Sequence, residues 1–288
     1  MPELPEVEIV RRGLQRWGAG RRIRSVRVRG ERSVRRHEAG PEDFAARLVG
    51  QRIEAVERRG KFWWLLLDGG AALAGHLGMS GQWRVGGADD AHTRVVLDFD
   101  DDLESLRFVD QRTFGWLAVQ ELVLGRAGRL VPEAVAQIAV DPFEPGYQVD
   151  AVARALRRRR SGVKSALLDQ QLVAGIGNIY ADEALWRARL HWATPADRLR
   201  QRTAVALLEA AAEVMTEAMA AGGTSFDSLY VNVNGSSGYF ARSLAAYGRE
   251  DEPCPRCGQR LVRESFGNRS SYRCRRCQRR PRGLAQPA

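Results

Sequence analysis

The sequence predicts an α+β protein with three parts: a strand-rich N-terminal half, a helical second half and a small metal-binding module. Up to about residue 120, apolar residues alternate or run continuously between Gly and Asp turns, which is typical of strands. Helical periodicity dominates after about residue 150, and all four cysteines lie in the C-terminal module. The predicted boundaries are an N-terminal domain at 1–131, a linker at 132–149, a helical domain at 150–249, the module at 250–282 and a tail at 283–288.

The first predicted element is a helix that follows a stiff and acidic start, MPELPEVEIVRRGL. Two prolines and three glutamates lie in the first eight residues, and the helical spacing of Val7, Val10 and Leu14 begins behind them. A signal peptide has a basic region followed by an apolar one, which this start lacks. Glu8 is assigned to the solvated face of the helix.

The strand-rich region runs from Ile23 to about Gln120 and contains RIRSVRVRG, KFWWLLLDGG, TRVVLDFDDD and SLRFVD. These segments alternate or run apolar between turn residues, which predicts a sandwich or a barrel. The following stretch VDPFEPGYQVD contains two prolines and a glycine, so it is the predicted linker.

The segment DQQLVAGIGNIYADEALWRARL predicts a tight turn between two helical stretches. An apolar run enters Gly175-Ile176-Gly177-Asn178, and an amphipathic helix follows. Backbone N–H groups at such a helix start can bind a phosphate, although a plain helix–helix corner fits the same pattern.

The longest predicted helix follows TPAD and is rich in alanine. Thr194 is its predicted N-cap and Pro195 its first residue. Gly222 and Gly223 form its predicted C-cap, because glycine readily adopts the left-handed conformation that ends a helix.

The cysteines form two Cys-x-x-Cys pairs, CPRC and CRRC, separated by sixteen residues. Four thiolates from two such turns can surround Zn²⁺ tetrahedrally in a closed site, which makes the zinc structural. Two disulfides are the alternative, but disulfides are rare in reducing compartments. Between the pairs, LVRESFGNRSSYRC predicts a hairpin with Arg269 beside its tip. The predicted zinc ligands are Cys254, Cys257, Cys274 and Cys277.

The net charge of +10 at pH 7 favours a polyanionic partner, because clustered cations displace the counterions condensed on phosphates. Residues 251–288 hold ten arginines against three acidic residues, so this +7 region is the predicted docking surface. RNA, DNA and acidic membranes all remain open as partners. Of 45 cationic residues only Lys61 and Lys164 are lysines, so each either marks a position where a compact ammonium is needed or persists by chance.

Six motifs occur in the order found in formamidopyrimidine-DNA glycosylases, which are repair enzymes for oxidised purines. The chain therefore resembles this family over nearly its whole length. The resemblance implies an N-terminal β-sandwich flanked by helices, a helix-two-turn-helix domain and a zinc finger with one structural zinc ion. It also implies a DNA glycosylase and AP lyase that acts on damaged double-stranded DNA, and we expect a monomer. The motifs are PELPEVE, HLGMSG, DQRTFG, LVAGIGNIYADEAL, GYFARSLAAYGRE and the four-cysteine finger.

The resemblance gives the stiff N-terminus a role. Removal of Met1 exposes Pro2 as a rigid secondary amine, and α-amino groups titrate near ~8, far below lysine at ~10.4. The family match makes Pro2 the nucleophile that displaces the base at C1′ and forms a cationic iminium. Glu3 then matches the general acid/base, and Glu6 orients the terminus. The implied reaction ends in β- and δ-elimination, which removes the sugar and nicks the strand.

Five residues match DNA contacts of the family. Lys61 and Lys164 match lysines that contact DNA near the lesion, and we count Lys61 among the catalytic residues. Asn178 and Arg269 match a pair that binds the phosphates flanking the extruded nucleotide. His76 matches a contact to the DNA backbone.

Enzymes of this family insert a wedge of side chains into the gap left by a flipped base. The matching residues in this sequence are Met79, Arg112 and Phe114. The loop reads DQRTFG where the family often has a second arginine, so Thr113 predicts one phosphate contact fewer. The stretch TSFDSLYVNVNGSSGYF, in the region of the family's base-capping loop, differs in composition from common versions.

Two other functions remain open from the sequence. One is an endonuclease VIII-like glycosylase for oxidised pyrimidines, although these enzymes typically begin PEGPE rather than PELPE. The other is a non-catalytic zinc-finger protein that binds nucleic acid, which explains the charge and the cysteines but not the pair Pro2 and Glu3. The simplest location is the cytoplasm of a bacterium, with association to the nucleoid if the partner is DNA.

Overall fold

The computed structural model describes residues 2–223 and 243–281. They form two compact units, the first containing 2–137 and 219–223 and the second containing 138–218 and 243–281. The region of the predicted base-capping loop and the predicted tail at 283–288 lie outside the described residues. Among the described residues, no helix has both the length and the apolar character that a membrane span requires.

The first unit contains two antiparallel sheets, which confirms the predicted sandwich. One has four strands in the order β1-β6-β7-β5, and the other has five in the order β2-β3-β4-β8-β9. The strands are β1 Ile23–Val28, β2 Ile53–Arg59, β3 Phe62–Leu67, β4 Ala71–His76, β5 Gly81–Val85, β6 Thr93–Phe99, β7 Leu106–Asp110, β8 Trp116–Leu124 and β9 Leu130–Pro132.

One apolar core joins the two sheets, because it includes side chains from both. Trp63 on β3 and Trp83 on β5 meet edge to face with ring centroids 5.5 Å apart, and Trp83 also contacts Phe108 on β7 at 5.5 Å. Both Trp63 and Trp64 are buried, so both faces of β3 are covered. This explains why KFWWLLL reads as a continuous apolar run rather than an alternating one.

Two helices flank the sheets, α1 at Leu4–Gly18 and α2 at Gly40–Leu48. Val7, Val10 and Leu14 of α1 pack into the core, as their spacing predicts.

The assignment of Glu8 to a solvated helix face is wrong, because only 8% of this residue is exposed. Its carboxylate lies 2.9 Å from Arg11 Nε, 2.8 Å from Arg12 Nε and 3.1 Å from Arg58 Nε. Arg58 belongs to β2, so the ion pair joins the N-terminal helix to the five-stranded sheet. Helical periodicity alone did not reveal this partner, because Arg58 is fifty residues away in the sequence.

Replacing Glu8 with Gln is expected to lower the free energy of unfolding at pH 7 by about 2 kcal/mol, since three arginines lose their counter-charge. Burial acts to raise the pKa of Glu8, but hydrogen bonds and charges from Arg11 and Arg58 lower it to about 2. A depressed carboxyl pKa contributes stability above the unfolded value of about 4.5, and this contribution decreases as the pH falls towards 2.

Urea unfolding of the wild type and Glu8→Gln at pH 7 and pH 4 measures this contribution. The difference between the two proteins should be smaller at pH 4 than at pH 7. Glu54→Gln is the control, because Glu54 is an exposed carboxylate of β2. An equal loss in both variants, or a difference that does not change with pH, would contradict the assignment.

The second unit is helical and ends in a two-stranded hairpin. Its described elements are α3 Val149–Leu156, α4 Val163–Leu167, α5 Asn178–Arg187, α6 Gln201–Ala220, β10 Leu261–Phe266 and β11 Arg269–Cys274, and the last residues of α6 belong to the first unit. The hairpin turn is Gly267-Asn268, with Gly267 at a φ of +56° and Arg269 directly beside the turn. The predicted hairpin is therefore confirmed.

The predicted start of the alanine-rich helix is wrong by several residues. Pro195 and Leu199 have extended backbone on either side of a short 3₁₀ turn, and α6 begins only at Gln201. Contacts distant in sequence hold this segment out of the helix: Val163 N–H donates to Thr194 O at 2.8 Å, and Arg157 Nε donates to Leu199 O at 2.7 Å. The predicted end is correct, since Gly222 and Gly223 follow Ala220 with φ values of +80° and +88°.

Candidate functional site

The stiff N-terminus forms a buried acidic group at the start of α1. Pro2, Glu3 and Glu6 are all buried, the two glutamates with 2% exposure each. The Glu3 backbone N–H donates to Glu6 Oε2 at 2.8 Å, which fixes the residue next to Pro2. The unpaired N–H groups at a helix start favour negative charge, so this position suits two carboxylates. The arrangement places the Glu3 carboxyl group next to Pro2 in the chain, with the Glu6 carboxylate holding the backbone between them.

Lys61 and His76 lie on neighbouring strand ends of the five-stranded sheet. Lys61 is buried in the turn between β2 and β3, and its neighbour Phe62 pairs with His76 on β4. Burial, together with the charges of Lys61 and Arg36, lowers the pKa of His76 to about 4. The Gly78 N–H donates to His76 Nδ1 at 2.9 Å, so the neutral ring carries its proton on Nε2. His76 is thus a neutral hydrogen-bond donor at physiological pH.

The wedge residues lie on two loops whose backbones touch. A Cβ on Gly78 would lie 2.4 Å from both Gly115 N and the carbonyl carbon of Phe114, so only glycine fits there. This close approach brings Met79 on one loop to the side of the loop that carries Arg112 and Phe114. Met79 is 40% exposed and Phe114 is 44% exposed, and the Arg112 guanidinium lies 5.3 Å from the Phe114 ring centroid. The two large apolar side chains are therefore available to an incoming ligand.

Sequence reasoning missed the two residues that shape this wedge. Asp110 is fully buried and accepts hydrogen bonds from Ser80 Oγ at 2.6 Å and from the Gly115 N–H at 2.7 Å. Arg35 donates to Phe114 O at 3.1 Å and to Gly115 O at 2.7 Å. Asp110 is the first residue of the DQRTFG motif, so the motif could have identified it. Arg35 lies about eighty residues before Phe114 and Gly115 in the sequence, so no local pattern indicated it.

In the second unit, the GIGN turn leads directly into α5, as predicted. Gly177 is the N-cap and Asn178 the first helical residue. Gln170 holds the turn from inside, because its Oε1 accepts from Gly175 N at 2.9 Å and its Nε2 donates to Ile176 O at 2.9 Å. Asn178 Nδ2 donates to Ser270 O at 3.0 Å, which brings the helix start to the residue after Arg269.

Lys164 is completely buried, unlike a lysine that projects from a surface. Its Nζ lies 2.7 Å from Asp182 Oδ1 and donates to Ser270 O at 3.1 Å. Burial raises the pKa of Asp182 to about 6, against the opposing effect of the Lys164 charge and of hydrogen bonds. Asp182 is a further residue that the sequence did not single out.

The four cysteines converge in the finger, so the metal-site prediction has the required geometry. Their sulfur atoms lie within 4.8 Å of one another, and Cys257 Sγ is 3.5 Å from Cys274 Sγ. Tetrahedral zinc with Zn–S bonds of about 2.3 Å separates its sulfurs by about 3.8 Å, so the set fits this ion. The Trp186 indole N–H donates to Cys254 Sγ at 3.4 Å, an outer contact that orients one ligand.

Four arginines surround the more exposed side of the cysteine cluster. They line a cavity of about 570 Å³ together with Cys257 and Cys277. Zinc with four thiolates carries a net charge of −2, so these cations offset it. Arg256 is held by donation to Trp186 O at 2.9 Å and by stacking on the Trp186 ring at 4.0 Å. The arginines are Arg189, Arg256, Arg276 and Arg279.

Family models match three parts of the chain. The formamidopyrimidine-DNA glycosylase N-terminal domain matches residues 1–117, and the formamidopyrimidine-DNA glycosylase H2TH domain matches residues 138–229. The zinc finger found in FPG and IleRS matches residues 251–280. The N-terminal and H2TH models therefore cover most of the candidate residues, and the finger model covers all four cysteines.

Relatives of known name match the chain over its length. The formamidopyrimidine-DNA glycosylase of Thermobifida fusca is 56% identical, with coverage of 98% of this chain and 99% of that protein. The crystal structure of the MutM (Fpg) protein from Thermus thermophilus is 36% identical, covers 96% and 98% of the two chains, and superposes with a TM-score of 0.82. A complex between a mutant of the Lactococcus lactis Fpg and a Fapy-dG containing DNA is 29% identical, covers 97% and 100%, and has a TM-score of 0.85.

Proposed function

Because this chain belongs to the formamidopyrimidine-DNA glycosylase family, it is a base-excision repair glycosylase for oxidised purines with AP lyase activity, and we propose which of its residues carry out each step. The observation that carries the assignment is the buried group at the start of α1, where Pro2 adjoins Glu3 and the Glu6 carboxylate holds the Glu3 backbone. Damaged double-stranded DNA is the substrate, in accordance with the complexes of relatives.

Pro2 is the nucleophile once Met1 is removed. Its amine attacks C1′ of the damaged nucleotide, the bond from C1′ to the base breaks, and the oxidised purine leaves with the electron pair of that bond and takes a proton from water. The amine then gives its own proton to the Glu3 carboxylate as the sugar ring opens, and a cationic iminium joins Pro2 to the sugar. An α-amino pKa near ~8 leaves a usable fraction of free amine at neutral pH.

Glu3 is the general acid and base for these steps. Its carboxyl protonates the ring oxygen as the sugar opens, and its carboxylate assists elimination, which breaks first the C3′–O bond and then the C5′–O bond. Glu6 acts through Glu3, because its carboxylate accepts the Glu3 backbone N–H at 2.8 Å. Lys61 lies buried in the turn between β2 and β3, and its positive charge favours binding of the phosphate next to the lesion.

The wedge loops replace the extruded base. Met79 and Phe114 present large exposed apolar groups that can fill the vacated stack, and Arg112 has donors for the orphaned pairing edge. His76 donates its Nε2 proton to the DNA backbone from a ring that is neutral in the free protein, since burial and the charges of Lys61 and Arg36 lower its pKa to about 4.

The second unit binds the phosphates on either side of the flipped nucleotide. Asn178 lies at the start of α5, where backbone N–H groups point outward, and Arg269 is exposed beside the hairpin turn. Lys164 supports this pair from the interior. The finger holds one structural zinc ion on its four thiolates, and this ion fixes the base of the hairpin that carries Arg269.

We further propose that the protein acts as a monomer in the bacterial cytoplasm, where a reducing environment preserves the four thiolates. The functional division is a catalytic domain at 1–131, a linker at 132–149, a DNA-binding helical domain at 150–249 and a finger at 250–282. These bounds stay a prediction.

Borohydride trapping tests the proposed function directly. Reduction of the iminium to a stable amine is expected to attach the processed enzyme covalently to a duplex with 8-oxoguanine opposite cytosine. Undamaged duplex should give no adduct, and a duplex with oxidised thymine should give much less. Preferential trapping on the thymine lesion would support the pyrimidine-specific alternative, and no adduct on any damaged duplex would support a non-catalytic binding protein.

A further inference from the structure

Asp182 occupies a buried position between α5 and the finger hairpin, with 1% exposure. Both of its carboxylate oxygens bind β11: Ser271 Oγ donates to Oδ1 at 2.8 Å, and the Tyr272 backbone N–H donates to Oδ2 at 2.8 Å. Asp182 lies four residues after Asn178, so the two side chains project from the same face of α5. The carboxylate therefore ties the helix that begins at Asn178 to the strand that begins at Arg269.

Lys164 completes this connection from a third element, α4. Its Nζ lies 2.7 Å from Asp182 Oδ1 and 4.7 Å from the centroid of the Phe266 ring at the end of β10. A fully buried ammonium needs an opposite charge close by, and Asp182 supplies it. The pair is therefore a fixed link between the helices and the hairpin rather than a solvated surface pair.

The carbonyl of Ser270 is the point at which these contacts converge. It accepts from Lys164 Nζ at 3.1 Å and from Asn178 Nδ2 at 3.0 Å. Ser270 directly follows Arg269, and Ser271, which Asp182 binds, is the next residue. Four polar contacts thus define where the backbone beside Arg269 lies relative to the start of α5.

We propose that Asp182, with Lys164 as its counter-ion, is a positioning residue that sets Arg269 beside Asn178 so that both can bind the phosphates flanking the lesion. This inference rests on the phosphate-binding role proposed above for Arg269. It assigns Lys164 an indirect contribution to DNA binding, because its ammonium is directed to Asp182 and Ser270 O inside the protein.

The neighbouring carboxylate provides a matched comparison. Glu183 is also buried, but it accepts the backbone N–H groups of Ala245, Ala246 and Tyr247, which precede the finger. Adjacent acidic residues on one helix turn therefore hold two different segments. Of the two, only Asp182 binds the strand that begins at Arg269.

A double-mutant cycle with Arg269→Ala separates positioning from general stabilisation. The background variant combines Asp182→Asn with Lys164→Gln, because removing both charges leaves no unpaired buried ion. The probe is a duplex with a tetrahydrofuran abasic-site analogue, and the readout is its dissociation constant. Zinc content and the thermal melting curve establish that each variant is folded.

Arg269→Ala is expected to weaken binding about 10-fold in the wild-type background. In the variant that combines Asp182→Asn with Lys164→Gln, called the neutral pair, it should weaken binding at most about twofold. In the Glu183→Gln background it should retain its full effect. Full additivity of Arg269→Ala with the neutral pair would overturn the inference while leaving the phosphate role of Arg269 intact. No effect of Arg269→Ala in the wild type would instead overturn that proposed role.

Ser271→Ala provides the same cycle with a milder change, since it removes one hydrogen bond to Asp182 Oδ1 and leaves both charges in place. Ser271→Ala serves as the background variant if the combined Asp182→Asn and Lys164→Gln variant loses its zinc. A smaller effect of Arg269→Ala in the Ser271→Ala background supports the inference, and an unchanged effect contradicts it.

Discussion

Protein that retains Met1 is expected to lose at least about 1,000-fold in strand cleavage while it still binds duplex with an abasic-site analogue. With Met1 in place, the nitrogen of Pro2 is part of a peptide bond, and an amide nitrogen cannot attack C1′ or form an iminium. The loss has the size expected when a covalent nucleophile is removed. The proposed wedge loops and the proposed phosphate-binding residues are unaffected by the change at the terminus.

A cleavable N-terminal fusion provides the matched pair, because one preparation can be assayed before and after a protease exposes Pro2. Intact-mass measurement establishes the terminus, single-turnover nicking gives the rate, and fluorescence anisotropy with the abasic analogue gives the affinity. Rapid cleavage by protein whose mass shows a blocked Pro2 would exclude the terminal amine as the nucleophile. Joint loss of cleavage and binding would mean that the blocked terminus also disturbs the DNA-binding surface.

Cys257→Ala is expected to release the zinc ion and to weaken binding of damaged DNA at least about 100-fold. The finger has almost no apolar core of its own: the described buried cluster contains Ala246, Leu261 and two of the cysteines. Metal binding contributes about 10–16 kcal/mol in comparable zinc-finger peptides, so the hairpin that carries Arg269 should not fold without it. The first unit has a separate large core and should keep its melting temperature.

Zinc stoichiometry, DNA affinity and a thermal melt measured on the same sample test this prediction. Ser265→Ala is the control, because it removes an exposed hydroxyl from β10 and leaves the sulfur cluster unchanged. Full zinc occupancy in Cys257→Ala would refute the ligand assignment. Zinc loss without a change in DNA affinity would instead refute the role of the finger in binding.

The fold class and the zinc finger were predictable because their signals are local. A continuous apolar run in KFWWLLL and alternation in neighbouring segments predict strands, since each depends on residues one or two positions apart. The Cys-x-x-Cys spacing predicts a metal site for the same reason, as each turn brings two sulfurs together. Pro2 and Glu3 are adjacent in the chain, and the family resemblance gave them roles that stay predictions.

The failures have one physical cause, which is that partners far apart in sequence decide burial and element ends. Glu8 has the spacing of a solvated helix residue, yet Arg58 on β2 makes it part of a buried ion pair. Thr194 and Pro195 have the composition of a helix start, yet hydrogen bonds involving Val163 and Arg157 hold the segment in a short 3₁₀ turn with extended ends, and the helix begins only at Gln201.

The candidate site shows the same division between local signals and distant contacts. Sequence motifs singled out the wedge residues and the pair Asn178 and Arg269, whose proposed roles stay predictions. Their supports emerged only with the fold: Asp110 and Arg35 hold the wedge loop, and Asp182 holds the strand beside Arg269. Residue types and short spacings carry the chemistry, because reactivity belongs to individual groups: side chains and, at Pro2, the terminal amine. The placement of those side chains depends on buried polar groups, whose partners are known only once the sheets and helices have packed.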